Sequence, residues 1–339
     1  GIHARPEEIF FTGGGTEADN WAIKGIASQY QGCHIITTRI EHHAVLHTCE
    51  WLEQRGVRVT YLPVNEQGLV TAEQVRRAIR PDTVLISVMF ANNEIGTMQP
   101  VREIGEVARR AGVLFHTDAV QAFGHVPIHV KEMKIDMLSA SAHKLGGPKG
   151  TGMLYVREGA DIPPFIHGGG QELRRRAGTE NVPGIVGFGK AAELAFAGLE
   201  ERSRKVSALR DYMIRRILAL IPYARLNGSR NRRLPGNVNF SFQFVDGESL
   251  LILLDTKGIC VSTGSACSSG SPEPSHVLTA IGLPPELARG SVRITIGEEN
   301  TKEEIDYTVG QIMELVAAQR EVSAEYEDFT NSGRAGRLQ

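Results

Sequence analysis

The chain has 339 residues, of which 41% are hydrophobic and 22% charged, and its formal net charge is −2. That length calls for two domains rather than one small core, and the near-balanced charge gives no support for nucleic acid or an anionic membrane as a bulk partner. No apolar run approaches the roughly 20 residues of a membrane span, no signal-like segment opens the sequence, and the four cysteines (Cys33, Cys49, Cys260 and Cys267) form no CxxC pair, so the chain reads as a cytoplasmic protein with reduced thiols.

Strand and helix signals alternate from the start. Residues 7–12 (EEIFFT) read as a strand, and 16–29 as a helix with acidic residues in its first turn. A strand over 34–38, a helix over 44–56 closed by glycine and a strand over 57–64 follow. Thr71 and Gln74 stand near capping-box spacing at the head of a helix over 71–80. The continuous apolar run over 83–90 has the pattern of a strand buried on both faces. A helix over 101–112 and strands over 113–119, 135–142 and 152–156 complete a series that predicts an α/β domain with a mostly parallel sheet. The pattern then changes to a helical stretch over 184–221 stopped by Pro222, an alternating strand over 236–244 and a helix over 247–258. Short strands over 259–263 and 291–297 and a long helix over 301–322 follow. These predict a smaller α+β domain, with the large domain over 1–190, the small one over 191–330 and a polar tail over 331–339.

Four constellations carry chemistry. FFTGGGTEADN (10–20) is a strand, a glycine turn and a helix start. Exposed amides and the helix dipole there suit a phosphate, although GxGxxG is absent and a plain turn remains an alternative. HTDAVQ (116–121) puts Asp118 at the C-terminal end of an apolar strand, where ligands of open α/β sheets sit; Asp118 either faces a pyridinium nitrogen or caps the next helix. SASAHKLGGPKGTG (139–152) sets Lys144 at the next strand end, with four glycines after it; Lys144 is either an amine placed to attack a carbonyl or a surface lysine before a glycine turn. Together these supply what pyridoxal phosphate needs: an anion cradle, a pyridine partner and a Schiff-base lysine.

His43 and His47 are spaced i, i+4, but the HExxH of a zinc peptidase is missing, so a ring stacked on a flat cofactor is the better use for His42. STGSACSSGS (262–271) places Cys267 in a Ser/Gly loop from which a thiolate could reach out, whereas Cys33, Cys49 and Cys260 lie in settings of buried structural thiols.

The ordered set FTGGGTEADN, EHHAVLHTCE, ANNEIGTMQP, HTDAVQAFGHVPI, SASAHKLGGPKGTG, HGGGQE, RAGTENV, STGSACSSGSPEPSHVL and SVRITIGEENTKEEID covers nearly the whole chain. It closely resembles the NifS/IscS-type cysteine desulfurases, in the class V aminotransferase group of fold-type I pyridoxal phosphate enzymes. The resemblance implies that Lys144 is the Schiff-base lysine, His42 the ring over the cofactor, Asp118 the partner of the pyridine nitrogen and Gln121 the donor to the phenolic oxygen. It further implies that Gly15, Thr16, Ser141 and His143 form the phosphate and cofactor cradle. Thr179 would reach the phosphate of a neighbouring subunit in a homodimer. Asn93 and Arg293 would grip the substrate carboxylate. Cys267 would be the persulfide-forming nucleophile, and the only group to approach a metal, transiently, when sulfur passes to an iron–sulfur scaffold or another acceptor. L-cysteine would be converted to L-alanine. A selenocysteine lyase, another class V lyase, or a non-catalytic scaffold subunit are the rival readings. Family members carry a longer N-terminal segment, and the resemblance implies that the sequence lacks it.

Overall fold

The computed structural model describes residues 1–264 and 274–332. The chain divides into two compact units. One comprises Gly1–Asn65, Leu69–Asn93 and Thr97–Glu201, the other Glu66–Gly68, Glu94–Gly96 and Arg202–Gln339.

In the first unit, β1 (Ile9–Thr12) leads through a glycine turn into α1 (Gly15–Ala27). Then follow β2 (His34–Thr38), α2 (His43–Glu53), β3 (Arg58–Leu62), α3 (Ala72–Ala78), β4 (Thr83–Ser87), α4 (Val101–Ala111), β5 (Leu114–Asp118), β6 (Met137–Ser141) and β7 (Gly152–Val156). The short α5 (Gln171–Arg174) and α6 (Val182–Ala197) come last. The strands make one sheet in the order β1-β7-β6-β5-β4-β2-β3. β7 is antiparallel to both of its neighbours, and the other pairs are parallel, so β7 alone is reversed. A parallel sheet covered on both faces needs strands that are apolar on both, and β2 and β6 are buried at every position. From α1, Ala18, Trp21, Ala22, Ile23 and Ile26 pack with Ile35, Leu85, Met137 and Leu154 of the sheet. The capping box at α3 forms as its spacing predicts: Gln74 N donates to Thr71 Oγ1 (3.1 Å) and Thr71 N to Gln74 Oε1 (2.8 Å).

Helix α7 (Leu199–Leu220) ends two residues before Pro222. In the second unit, β8 (Ala224–Leu226), β9 (Asn237–Phe242), α8 (Gly247–Asp255), α9 (His276–Ala280), α10 (Pro285–Arg289), β10 (Ser291–Thr295), α11 (Lys302–Glu321) and α12 (Ala324–Asn331) follow in order. An antiparallel sheet β10-β9-β8 packs Val238, Phe240 and Phe242 against Ile214 and Ile217 of α7, Leu250 of α8 and Val309 and Ile312 of α11. No single helix among the described residues is long and apolar enough to cross a membrane.

Three expectations need correction. The strand over 259–263 is reduced to one bridge, in which Ser262 and Arg293 exchange both backbone bonds before the chain turns away at Gly264 (φ 54°). β9 alternates apolar and polar residues, yet all six are buried. Its polar face is internally satisfied: Asn237 and Asn239 donate Nδ2 to Glu94 O (3.0 and 3.1 Å), and Ser241 Oγ accepts from Asn227 Nδ2 (2.8 Å). Cys260 is exposed, unlike Cys33 and Cys49, because its neighbours Ile259 and Val261 are the ones that pack against the core of the second unit, which leaves the residue between them on the solvent side. Cys267 and most of the tail, 333–339, lie outside the described residues.

Candidate active site

The parallel strands of the first unit bring their C-terminal ends to one edge, and the chemistry-bearing residues gather there. At the turn between β1 and α1 the first amides of a 13-residue helix point outward, the arrangement that holds an anion. Two close approaches demand glycine. A Cβ on Gly15 would stand 2.6 Å from Val120 Cγ2, and one on Gly152 would stand 2.5 Å from the backbone of Gly14. The turn is therefore pressed against β7 and against the segment that follows β5. Glu17, in the first helical turn, binds Gly13 N (2.7 Å) and the Arg176 guanidinium (2.8 and 3.1 Å). Thr16 is exposed.

β5 and β6 are adjacent and parallel, with Asp118 opposite Ser139. Asp118 is buried at the end of β5 and accepts a hydrogen bond from Val120 N (2.9 Å); no helix lies between β5 and β6, so it caps a turn, the one that carries half-buried Gln121, and not a helix. Burial raises its carboxyl to about 6, against the Val120 N–H and the nearby Lys144 charge, which both favour ionisation. Lys144 lies just beyond β6, in a single 3₁₀ turn over Ala142–Leu145, and its carbonyl accepts from His125 Nε2 (2.9 Å). Its side chain is exposed. Ser141 Oγ and His143 Nδ1 are 2.8 Å apart, and burial together with the charges of Lys144 and Lys149 lowers the His143 pKa.

His42 is the N-cap of α2. Its Nδ1 accepts from Ala44 N (3.1 Å), which leaves the proton of the neutral ring on Nε2. His43 and His47 stack, rings 4.8 Å apart and nearly parallel. Among the described residues no three His, Cys, Asp or Glu side chains converge as a metal site. Asn93 is half-buried and Thr179 exposed. In the second unit Arg293 is half-buried on β10, and the Ser275 hydroxyl donates to Glu94 Oε2.

Sequence reasoning missed the buried polar group beneath this edge. Glu41 is fully buried and accepts from Thr38 Oγ1 (2.7 Å) and from Met89 N with both oxygens (3.0 and 3.1 Å); burial lifts its carboxyl to about 8. His116, two residues before Asp118, sits between Ser87 Oγ (2.8 Å) and Ser139 Oγ (2.9 Å), and burial lowers its pKa to about 3. Asp19 lies among the apolar residues of α1 that face the sheet. That position, a carboxyl where the helical period calls for an apolar residue, was the available signal.

A helix N-terminus held by glycine close packing against Val120 and β7, a buried acid in need of a cation and an amine at the neighbouring strand end fit a phosphorylated heteroaromatic ring carrying an aldehyde.

The family model described as aminotransferase class-V matches residues 1–308. The chain is 58% identical over 324 residues to "Cysteine desulfurase IscS" of Methanosarcina thermophila, covering 95% of this chain and 80% of that protein. Among solved structures it superposes on a "NifS-like protein" with a TM-score of 0.86 at 39% identity, covering 93% of this chain and 84% of the other. A structure titled "SspA in complex with cysteine" matches with a TM-score of 0.78 at 41% identity, over 88% of this chain and 84% of that one.

Proposed function

Since the chain belongs to the class V aminotransferase family, we propose how its residues divide the work of a cysteine desulfurase. The protein is a pyridoxal phosphate-dependent cysteine desulfurase that acts on L-cysteine. When bound, pyridoxal phosphate joins an amine through its aldehyde and withdraws electrons from the substrate's α-carbon. The amides at the head of α1, with Gly15, Thr16, Ser141 and His143, hold the phosphate. His42 covers the ring and Gln121 donates to its oxygen. Asp118 holds a proton on the ring nitrogen. Lys144 supplies the amine and takes up the α-proton at Nζ. Asn93 and Arg293 receive the substrate carboxylate. Cys267 attacks the substrate sulfur as its thiolate: an S–S bond forms, the substrate C–S bond breaks with its electron pair left on carbon, and that carbon takes up a proton, so that the carbon product is alanine. A sulfur acceptor, of the iron–sulfur scaffold kind, then receives the persulfide, the one point at which Cys267 approaches a metal.

The large unit is thus the cofactor domain and the smaller one carries the cysteine loop. The observation that carries this reading is the placement of Asp118 and Lys144 at the ends of adjacent parallel strands, beside a glycine turn. We place the protein in the cytoplasm, where the free thiols of Cys33 and Cys49 stay reduced. We also infer a homodimer. Val182, Val186 and Leu194 of α6 are exposed, and Leu173, also exposed, sits in a run of three left-handed non-glycine residues (Glu172, Leu173, Arg174; φ 47°, 55° and 67°) just before Thr179. Apolar exposure and local strain together suit a surface completed by a second copy.

Two tests follow from these roles. With cofactor supplied, the purified chain should form L-alanine from L-cysteine, and Arg293→Lys, which keeps the charge but loses the bidentate fork, should raise KM by roughly tenfold or more. Unchanged KM would move the carboxylate site elsewhere.

Asp118→Asn should separate stability from function. Asp118 is an acid whose folded pKa is raised, from an ordinary 3.8 to about 6, so its contribution is fully favourable below about pH 3.8 and is lost as pH rises through 6. Roughly 3 kcal/mol is at stake. The cofactor-free Asn variant is therefore expected to match the parent near pH 4 and to melt higher at pH 8, while the loaded variant loses about 100-fold or more in turnover. Parent-like turnover would reduce Asp118 to a cap.

A further inference from the structure

Beneath Asp118 the first unit buries two more carboxyls, Asp19 and Glu41, and no lysine or arginine is buried in that unit among the described residues. The groups around Asp19 can be named element by element. From β5 come His116 and Asp118; from β6, Ser139; from the segment ahead of α2, Glu41. β4 adds only the Ser87 hydroxyl, bound to His116. On α2, Cys49 feels Glu41 and has its thiol pushed up by burial, so it stays neutral. Lys144 is the cation that acts on Asp118.

His116 provides no counter-charge. Both of its ring nitrogens are occupied by serine hydroxyls, and the ring is neutral. Asp19 Oδ1, fully buried, lies 3.6 Å from His116 Nε2 and makes no hydrogen bond. Three carboxyls in one dry, cation-poor cluster cannot all be ionised. Asp118 receives the Val120 N–H and the field of Lys144, and it sits at the strand end where a ligand cation is held.

We propose that Asp19 is a positioning residue for Asp118: it keeps its proton, so that the single negative charge of the buried cluster rests on the carboxylate facing the cofactor's ring nitrogen. Burial, the charge of Asp118 and that of Glu41 all push the Asp19 pKa upward, with only the Ser139 hydroxyl opposing. An ionised Asp19 would repel charge from Asp118 and return a proton to it, which would spoil its pairing with the ring. The inference rests on the assignment of Asp118 made above.

The test uses Asp19→Asn, the nearest mimic of a neutral acid, and is read on the cofactor-free protein. With ¹³C at the aspartate side-chain carboxyls, the parent should show one resonance, other than Asp118's, that is still in its protonated position at pH 7. That resonance should vanish in Asp19→Asn, while the midpoint of Asp118, assigned by Asp118→Asn, stays within a few tenths of its parent value. The parent's melting temperature should fall relative to the Asn variant as pH rises above 4, because a raised carboxyl loses its contribution in that direction.

A fall of one pH unit or more in the Asp118 midpoint on making Asp19→Asn would overturn the proposal, since it would show that Asp19 was charged. So would the absence, among the buried aspartates, of any resonance still in its protonated position at pH 7 in the parent spectrum, a reading that holds even if the variant does not fold. Failure of the Asp118 assignment shows separately, as parent-like turnover in Asp118→Asn.

Discussion

Lys144→Ala is expected to leave the large unit folded and to end cysteine turnover. The side chain is exposed, and the bonds that fasten this turn use backbone groups, the Lys144 carbonyl among them, which alanine keeps. Exposed substitutions of this kind move stability by about 0.5 kcal/mol or less. The chemical loss is of another size. The same amine holds the cofactor and moves the α-proton, and removing a group that acts in two steps costs on the order of 10⁴-fold or more. Borohydride treatment followed by peptide mass analysis checks the assignment. In the parent, the cofactor should be fixed to the peptide containing Lys144; in the variant, no peptide should carry it. Cofactor fixed to another lysine in the parent, or turnover within tenfold of the parent in Lys144→Ala, would contradict the assignment.

Cys267→Ser carries the second large effect. Burial holds the thiols of Cys33 and Cys49 above their ordinary pKa, so neither presents a nucleophilic thiolate. Cys260 is exposed and is therefore the control that matters. Only Cys267 lies in the Ser/Gly-rich sequence between Gly264 and Ser275. A few per cent of thiolate at neutral pH is enough if the loop delivers it to the substrate sulfur. Cys267→Ser should keep the cofactor and bind cysteine, yet lose alanine formation by about 100-fold or more in the presence of reductant. Cys260→Ser should stay within about twofold of the parent, as expected for a surface change. The reverse pattern would hand the role to Cys260.

Much of the fold was legible because the large unit obeys simple periodicities. The strands at 34–38 and 152–156 were found at their observed limits, since β-branched residues in HIITT and the apolar run in GMLYV mark them, and both are buried on both faces. Helix starts with capping side chains, such as Thr71 and Thr301, were also readable. The small unit resisted for physical reasons. β8 is only three residues long, and α9 and α10 are single-turn pieces fixed by tertiary packing. The 259–263 run looked like a strand by composition, but its pairing stops after one bridge.

At the site, Lys144 and Asp118 were legible because glycines and strand ends mark them in the chain. The layer beneath was not. Asp19, Glu41 and His116 come from three separate elements, and each alone is one polar residue in an apolar setting. Their meaning lies in the registry that sets Asp118 beside Ser139 and His116 beside Ser87.

The central claim, that this chain moves sulfur from cysteine onto its own Cys267, is tested most directly by mass analysis of the loaded enzyme after a pulse of L-cysteine without reductant. The peptide containing Cys267 should gain about the mass of one sulfur atom, lose it again on adding a thiol, and do so in step with alanine release. Alanine formed at full rate with no added sulfur on that peptide, or with the sulfur on Cys260, would contradict the account.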